Sequence, residues 1–411
     1  MFLAILNWQR SKPVLLPVKD ALERVLAAAK TVSTVEKPLS GCHGYSLSED
    51  IMAKRTQPPF ASSAMDGYAV RHDDLKKDIF LTVIGESSAG HGYNGKVCEG
   101  ETVRTFTGAP MPEGTDTVLI QEDAEKITDT EIKPTDIPAK GLFVRPEGMD
   151  FRSGQILLNK GTVLNFQSLS LAAAMNHPTL NVHRKPKVGI LSNGDELVWP
   201  GQEPDRDQII ASNAFGVASL VQEFGGEAID LGIASDKAED IDHAFTQAQK
   251  ENCDVLVTLG GASVGDHDLI KPALKARGAA LDFWKIAMRP GKPFMFGNLE
   301  DLLILGMPGN PVSSLVCSLL FLRPLVLAMQ NRDPTAKLVD AVLAKDVAAN
   351  GIREGYLRSM LEVKDGKYLV TAFDQQDSSI LTVLAKANCL LIRPIKAPAA
   401  KAGEPCKVML I

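Results

Sequence analysis

The sequence predicts a multi-domain protein of the α/β plus β class, with a parallel-sheet three-layer α/β domain, an inserted β-domain, an elongated helical piece and a C-terminal β-barrel. Three observations predict this class. The chain has 411 residues, more than a single hydrophobic core usually holds. Between residues 187 and 331, apolar runs alternate with helical segments, which is typical of a parallel sheet covered on both faces. Short strands broken by Gly and Pro precede and follow this region.

The helical piece is predicted from two segments that are separate in sequence. Residues 14–30 and 161–178 both carry apolar side chains at helical spacing. Because a β-rich segment lies between them, residues 12–52 and 151–184 are expected to form one elongated domain, into which a β-domain of residues 53–150 is inserted.

The remaining chain divides at about residue 331. Residues 185–331 are expected to form the α/β domain, and ligands of such sheets bind at the carboxyl ends of the strands. Its predicted strands are Lys187–Ser192, Ala228–Ile233, Asp254–Leu259, Leu281–Ile286 and Leu302–Leu305. Residues 332–411 return to short strands, which favours a β-barrel.

Composition and charge argue for a small-molecule partner. The net charge of −6 gives no basic footprint for nucleic acid. The six cysteines form no Cys-x-x-Cys pair, which predicts reduced thiols in the cytoplasm.

The uncharged stretch Leu302–Leu322 is long enough to span a membrane, but Pro308 and Pro311 interrupt it, so a strand, a loop and a helix are expected instead.

A glycine-rich loop, Gly260–Asp268, follows one predicted buried strand. Glycines let backbone N–H groups approach a phosphate closely, and Asp266 and Asp268 suit a divalent cation. The loop matches neither the P-loop nor the dinucleotide fingerprint, and glycines that serve only the turn remain an alternative. Ser263 lies in a Gly-x-Ser-x-Gly run without an assignable histidine, so it is expected to bind phosphate and not to act as a nucleophile.

Three further segments of the predicted α/β domain carry polar groups. Asn310 caps a predicted helix, which is either a plain helix start or a second anion cradle. Arg289 and Lys292 lie between prolines and either clamp an oxyanion or are solvated loop charges. Asp195 and Glu196 suit ribose hydroxyls or hydrated Mg²⁺, although an ordinary turn remains open.

The predicted β-domain carries one candidate acid, Asp66, which is either part of a hairpin turn or a carboxylate in a cleft. The seven histidines show no metal-binding spacing.

Six motifs occur together and in order. They are Ser63–Val70, Thr107–Pro110, Ser192–Leu197, Gly260–Gly265, Pro290–Pro293 and Pro308–Ser313. This set resembles the molybdopterin molybdenumtransferase family, the MoeA type that includes the gephyrin E-domain. The resemblance covers nearly the whole chain. It implies an elongated homodimer in which residues 12–52 and 151–184 dimerise and residues 185–331 bind molybdopterin.

The resemblance also implies an activity. Members insert molybdate into adenylylated molybdopterin, with release of AMP and assistance from Mg²⁺, and the molybdopterin adenylyltransferase is an expected protein partner. Two alternatives remain open at this point: nucleotidyl transfer to molybdopterin itself, and a scaffold that binds pterin without turnover.

The resemblance implies site residues by position. The expected catalytic residues are Asp66, Thr107, Asp150 and Lys292. The expected substrate-binding residues are Asp195, Glu196, Asp236, Gly260, Gly261, Ser263, Asp268, Arg289, Pro308, Gly309 and Asn310. Molybdate is expected at Lys292, Pro293, Ser313, Arg358 and Ser378, and Mg²⁺ at Glu196 and Asp268. The chain departs from the family pattern at Met149 and Ala211, where the family usually has acids, at Arg289, where it has lysine, and at Ala262, where it has valine.

Overall fold

A computed structural model describes residues 15–261 and 269–411, which fall into two compact units. The β unit comprises residues 36–43 and 49–181. The α/β unit comprises the described residues up to Val35, residues 44–48 and residues 182–411. The predicted division of the chain into four domains stays a prediction.

The first 170 described residues form short elements, as expected from their frequent Gly and Pro. In chain order these are α1 (Val18–Ala27), β1 (Thr34–Pro38), β2 (Ile51–Met52), β3 (Ser62–Ser63), β4 (Gly67–Val70), β5 (Leu81–Ser87), β6 (Glu101–Thr105), β7 (Thr117–Ile120), β8 (Ala124–Thr128), β9 (Glu131–Pro134), β10 (Val144–Arg145), β11 (Ile156–Leu158), α2 (Phe166–Ala174) and β12 (Thr179–His183). Strands β7, β4, β6, β5, β9 and β8 form a six-stranded sheet in that order. Buried Val70, Leu81, Leu119 and Ile132 form its core.

The central part of the α/β unit is a second six-stranded sheet with helices. Its elements are β13 (Lys187–Asn193), β14 (Leu197–Val198), β15 (Ile209–Ile210), α3 (Asn213–Glu223), β16 (Glu227–Ala234), α4 (Ala238–Lys250), β17 (Val255–Leu259), α5 (Ile270–Ala276), β18 (Ala280–Trp284), β19 (Met288–Arg289), β20 (Met295–Leu299), β21 (Leu302–Met307), α6 (Pro311–Cys317) and α7 (Arg323–Met329). The strand order is β16-β13-β17-β21-β20-β18. The first four strands are parallel, as predicted. The expectation of an all-parallel sheet is wrong for β20, which runs antiparallel to both of its neighbours, β21 and β18.

The three-layer arrangement follows from burial on both faces of the sheet. Every residue of β17 is buried. Val255 and Val257 pack into one apolar cluster, together with Val217 of α3. Leu256 points to the opposite cluster, which contains Phe245 of α4. A continuous apolar strand therefore supports a helical layer on each side, as the sequence predicts.

One long apolar helix crosses the first of these clusters. Residues Pro311–Met329 form a helix of 19 residues with a mean hydropathy of 2.0, and 78% of its apolar window is buried. Pro324 has no N–H for the helical ladder, and the backbone widens to a π turn at Ser318–Leu322 just before it. Burial of this extent is typical of a core helix. The expected interruption is confirmed, because β21 and the helix are separated at Pro308 and Gly309.

The C-terminal residues form the predicted barrel. Its elements are β22 (Leu338–Leu343), β23 (Glu354–Lys364), β24 (Lys367–Ala372), α8 (Leu381–Leu384), β25 (Cys389–Arg393) and β26 (Pro405–Leu410). The strand order β23-β24-β22-β26-β25 closes because β25 also pairs with β23. The short strand β19 pairs with β23 and thereby joins the barrel to the loop that follows β18.

Candidate functional site

The carboxyl ends of β13 and β16 bring polar side chains together. The Asn193 carboxamide donates a hydrogen bond of 2.9 Å to Asp236, and the Asp236 backbone N–H donates one of 2.9 Å to the Asp195 carboxylate. Gly194 has a φ of 147°, and a side chain there would collide with the carboxylate of Glu196. Glycine therefore lets Glu196 fold back over the strand end.

The end of β17 approaches the end of β13 too closely for side chains. Gly260 has a φ of 98°, and a Cβ there would lie 2.6 Å from the carbonyl oxygen of Asn193. Gly261 has a φ of 65° and lies against the side chain of Ile270. The first two glycines of the predicted loop therefore allow two things: a backbone with positive φ, and the close approach of this strand end to the end of β13. The rest of that loop, including Ser263, Asp266 and Asp268, lies outside the described residues.

Hydrogen bonds hold the loop after β21 to α3 on one side and to the barrel on the other. The Asn213 carboxamide donates to the carbonyl of Gly309 at 2.6 Å, which ties the start of α3 to this loop. The Asn310 carboxamide donates to the Ser378 hydroxyl at 2.9 Å, and the N–H of Val312 donates to the carbonyl of Ser378 at 3.0 Å. These bonds connect the long helix to the barrel.

These strand ends enclose a cavity of about 530 Å³, here called the edge cavity. This volume lies within the range of small-molecule sites. The first residues of α3 and of the long helix both line it, so the two helix starts offer partial positive charge to an anion. Its lining includes Ser192, Asn193, Glu196, Ser212, Asn213, Gly260, Gly261, Pro293, Pro308, Gly309, Asn310 and Ser379.

A buried arginine on β23 of the barrel holds the loop next to this cavity. Arg358 is 1% exposed, and its guanidinium donates to the carbonyl of Asp377 at 2.9 Å. Its Nε has no hydrogen-bond partner among the described residues. Burial lowers the pKa of Arg358, the carboxylate of Asp377 raises it, and the charge of Arg289 lowers it further. An additional anion would therefore satisfy both the unpaired donor and the repulsion between the two arginines.

Aromatic packing supports the loop that carries Lys292. Phe294 stacks on Phe321 of the long helix with ring centroids 4.4 Å apart. The Lys292 carbonyl accepts a hydrogen bond of 3.0 Å from the N–H of Ile286. Gly291 has a φ of 106°, and a Cβ there would lie 2.6 Å from the sulfur of Cys317. The loop that carries Lys292 therefore packs directly against the long helix of the core.

The structure groups most of the predicted residues of the α/β unit. Seven of them line the edge cavity: Glu196, Gly260, Gly261, Pro293, Pro308, Gly309 and Asn310. Others lie next to lining residues in sequence or are hydrogen-bonded to them: Asp195, Asp236, Lys292 and Ser378. Ser313 lies in the first turn of the long helix, two residues after Pro311, which lines the cavity. Sequence reasoning did not single out Asn193, Asn213 or Ser379, although Asn193 lies within a quoted motif.

The β unit contains a separate polar pair. The Asp66 Oδ1 accepts hydrogen bonds from the Thr107 N–H at 2.8 Å and from the Thr107 hydroxyl at 2.9 Å. These two bonds, with a smaller contribution from the charge of Arg104, hold the pKa of Asp66 below its usual value. Asp150 forms no hydrogen bond with either residue within the described chain; its N–H donates to the carbonyl of Gln57 at 3.0 Å.

The described residues offer Mg²⁺ a single carboxylate in the edge cavity. Glu196 lines the cavity, and no three His, Cys, Asp or Glu side chains within residues 15–261 and 269–411 form a metal-binding group. Protein-bound Mg²⁺ at phosphate sites commonly uses one or two carboxylates and otherwise substrate phosphates and water. The residues present fit such an arrangement and do not form an all-protein cage.

Three family models match the chain in succession. Residues 16–176 match the MoeA N-terminal region (domain I and II), residues 189–328 match a probable molybdopterin binding domain, and residues 340–411 match the MoeA C-terminal region (domain IV).

Similar proteins cover nearly the full length. A molybdopterin molybdenumtransferase of Haemophilus influenzae is 36% identical over 87% of this chain and 88% of its own length. One of Bacillus subtilis is 31% identical over 96% of this chain and 94% of its own. A crystal structure of the molybdopterin biosynthesis MoeA protein of Pyrococcus horikoshii has a TM-score of 0.83 at 30% identity, covering 96% of this chain and 99% of that one.

Proposed function

The chain belongs to the molybdopterin molybdenumtransferase family, and from this membership we propose that it inserts molybdenum, supplied as molybdate, into adenylylated molybdopterin with release of AMP. The observation that carries the proposal is the edge cavity, where three strand ends and two helix starts converge. A phosphate ester is bound in such sheets by backbone N–H groups at helix starts. The edge cavity therefore takes the adenylate end of the substrate.

The molybdate site is assigned to the loops around Lys292, Ser378 and Arg358. Molybdate is a tetrahedral dianion that requires hydrogen-bond donors and positive charge. Arg358 supports this assignment for two reasons. Its buried Nε is unpaired among the described residues, and the charge of Arg289 is close enough to lower its pKa. A bound dianion compensates both effects.

In this proposal Mg²⁺, when bound, neutralises phosphate charge on the substrate, and Glu196 holds it through its carboxylate. Asp66 and Thr107 act from the β unit. Thr107 donates two hydrogen bonds to Asp66 and holds the pKa of this carboxyl below its usual value, so Asp66 is ionised at neutral pH. This carboxylate therefore accepts a hydrogen bond or a proton from the substrate and does not donate one.

The direct test is release of AMP. Purified protein incubated with adenylylated molybdopterin, molybdate and Mg²⁺ is expected to liberate AMP and to yield a cofactor that activates an apo-molybdoenzyme. Lys292→Ala should reduce the rate by roughly 100-fold, because it removes a charge held beside the dianion. Lys364→Ala, at the exposed tip of a barrel hairpin, serves as the matched lysine control.

Two outcomes decide against the proposal. Consumption of ATP in the presence of molybdopterin alone would indicate an adenylyltransferase. Tight binding of adenylylated molybdopterin without AMP release above the Lys292→Ala level would indicate a scaffold.

The metal assignment has its own test. Glu196→Gln keeps the size of the side chain and removes its charge, so it should raise the Mg²⁺ concentration needed for half-maximal AMP release by about 10-fold or more. Glu362→Gln, at an exposed acid on β23 that does not line the edge cavity, should leave that concentration unchanged. Equal Mg²⁺ requirements for Glu196→Gln and the wild type would remove Glu196 from the metal site.

We further propose that the chain works as a homodimer in the cytoplasm. Among the large apolar side chains that the β unit exposes are Phe166 of α2 at 74%, Ile156 of β11 at 51% and Met52 of β2 at 50%, and Ile156 and Met52 are partners in adjacent strands. Large exposed apolar groups of this kind mark protein–protein contacts. The free thiols of the six cysteines support a reducing compartment.

A further inference from the structure

Arg104, which no sequence motif singled out, lies at the centre of an ordered cluster in the β unit. Its guanidinium carbon is 4.9 Å from the ring centroid of Tyr68 and 5.0 Å from that of Phe106. Tyr68 and Arg104 are direct partners across β4 and β6, and Phe106 follows on the same chain segment. The guanidinium therefore contacts two aromatic rings, an arrangement that favours arginine over lysine.

The hydrogen bonds of Arg104 reach two further chain segments. Nη1 donates to the carbonyl of Gly67 at 3.1 Å, and Nη2 donates to the side-chain oxygen of Gln121 at 2.7 Å. The backbone N–H of Gln121 in turn donates to the carbonyl of Asp66 at 3.1 Å. One side chain thus joins the turn of Asp66 to the segment that follows β7.

The same cluster includes the segment of Thr107. Phe106, whose ring contacts Arg104, directly precedes Thr107, and Thr107 makes both hydrogen bonds to Asp66 Oδ1. The other carboxylate oxygen, Oδ2, has no hydrogen-bond partner among the described residues and is available to a ligand. The direction in which Oδ2 points therefore depends on how the segments of Asp66, Thr107 and Gln121 are held together.

We propose that Arg104 is a positioning residue for the transfer reaction, which fixes the Asp66 carboxylate against Thr107 and so aims its free oxygen at the substrate. This inference rests on the proposed function, since it assigns Asp66 to the substrate. The fork geometry of arginine is essential to it, because two separate acceptors and two rings must be contacted at once. A lysine side chain carries the same charge but lacks the planar guanidinium, whose separate N–H groups bond two acceptors at once.

The test is a double-mutant cycle on kcat for AMP release. Arg104→Lys is expected to lower kcat by roughly 10- to 100-fold with KM changed less than threefold, in line with the about 100-fold effect of a 1 Å misplacement. Because Arg104 acts through Asp66, the double variant Asp66→Asn with Arg104→Lys should be no slower than Asp66→Asn alone. Multiplying effects, or an Arg104→Lys rate equal to the wild type, would overturn the proposal.

A matched control tests for a merely structural role. Arg277 also lies over a ring, 5.9 Å from the centroid of Phe245, and donates to the carbonyl of Asp242 at 2.9 Å, but it belongs to the α/β unit outside the edge cavity. Arg277→Lys should leave kcat unchanged. Thermal melting of every variant reports whether a lower rate reflects a smaller folded fraction.

A second measurement is independent of turnover. A crystal structure of Arg104→Lys is expected to show that the hydrogen bonds from Thr107 to Asp66 are lost or redirected. If both remain at their wild-type lengths of 2.8 and 2.9 Å, the positioning role is wrong whatever the activity. If the carboxylate moves in this variant but the wild type releases no AMP, the proposed transfer function fails, whereas the inference that Arg104 fixes the Asp66 carboxylate against Thr107 stands.

Discussion

At the scale of single residues, the ionisation of Asp66 is expected to set the acid side of the pH dependence of AMP release. Hydrogen bonds from Thr107 lower the pKa of Asp66, so the carboxylate stays charged below the usual range for aspartate. By linkage, these hydrogen bonds stabilise the folded state above the unfolded pKa of aspartate. That contribution is lost as the pH falls through the lowered pKa.

Thr107→Val is therefore expected to shift the acid limb of kcat/KM for AMP release to higher pH. Valine removes the hydroxyl donor, keeps the backbone donor and preserves the shape of the side chain. Thr115→Val, in the same unit, removes a hydroxyl that donates to the carbonyl of Pro112 at 2.7 Å and should leave the pH profile unchanged. An acid limb that does not move in Thr107→Val would show that the ionisation of Asp66 does not limit the reaction.

The predictability of individual site residues depended on where they lie in the sequence. Glu196, Gly260 and Asn310 follow buried strands directly, so the strand pattern alone brought them to one edge. Arg358 is different, since it lies within a barrel strand and only the resemblance to a family singled it out. Arg104 escaped notice because its role comes from cross-strand and aromatic contacts that no local pattern reveals.

At the scale of elements, the turn after β17 depends on a glycine at a crowded position. An alanine at Gly260 would adopt an unfavourable positive φ and would also place its Cβ 2.6 Å from the carbonyl of Asn193. Gly232 has a φ of 85°, and a Cβ there would meet no atom within 4 Å, so this position isolates the first of these two effects.

Gly232→Ala is expected to lower the free energy of unfolding by about 1–2 kcal/mol, the usual cost of a left-handed conformation. Gly260→Ala should lower it further and should also weaken binding of adenylylated molybdopterin, because the strand end must move. Urea denaturation and equilibrium binding measure the two effects. If Gly232→Ala and Gly260→Ala lower the free energy of unfolding equally, the close contact between residue 260 and the Asn193 carbonyl adds no destabilisation, and the prediction is wrong.

The sheet of the α/β unit shows what an apolar pattern leaves undetermined. Strands β13, β16, β17 and β21 were predictable because each is an apolar run followed or preceded by a helical segment. Strand β20 was missed, and with it the one strand of this sheet that runs antiparallel to its neighbours, β21 and β18. An apolar pattern shows which residues face the core, but it does not show the direction of a strand. The connection from β20 to β21 is only Glu300 and Asp301, which makes the two strands a tight antiparallel hairpin.

At the scale of the whole molecule, the proposed homodimer predicts a particle of twice the chain mass of 44.2 kDa. Phe166→Glu is expected to shift the equilibrium toward the monomer, because it places a charge on the most exposed of the three apolar side chains. A glutamate also suits the first turn of α2, so the helix itself is preserved.

Phe80→Glu is the control for this change, since Phe80 is 49% exposed in the same unit but lies outside α2 and its neighbouring strands. Light scattering across a range of protein concentrations measures the mass of each variant. A wild type that is monomeric throughout, or a Phe166→Glu variant as dimeric as the wild type, contradicts the assignment of this surface.

The long apolar helix has a consequence for how the protein behaves when it is heated. Once the sheet above it opens, Pro311–Met329 presents 19 residues of mean hydropathy 2.0 to water. Exposed apolar surface of this kind makes unfolded chains prone to aggregate with one another. Heating followed by cooling should therefore give turbid samples and a second calorimetric scan without a transition, and the recovered fraction should rise on dilution.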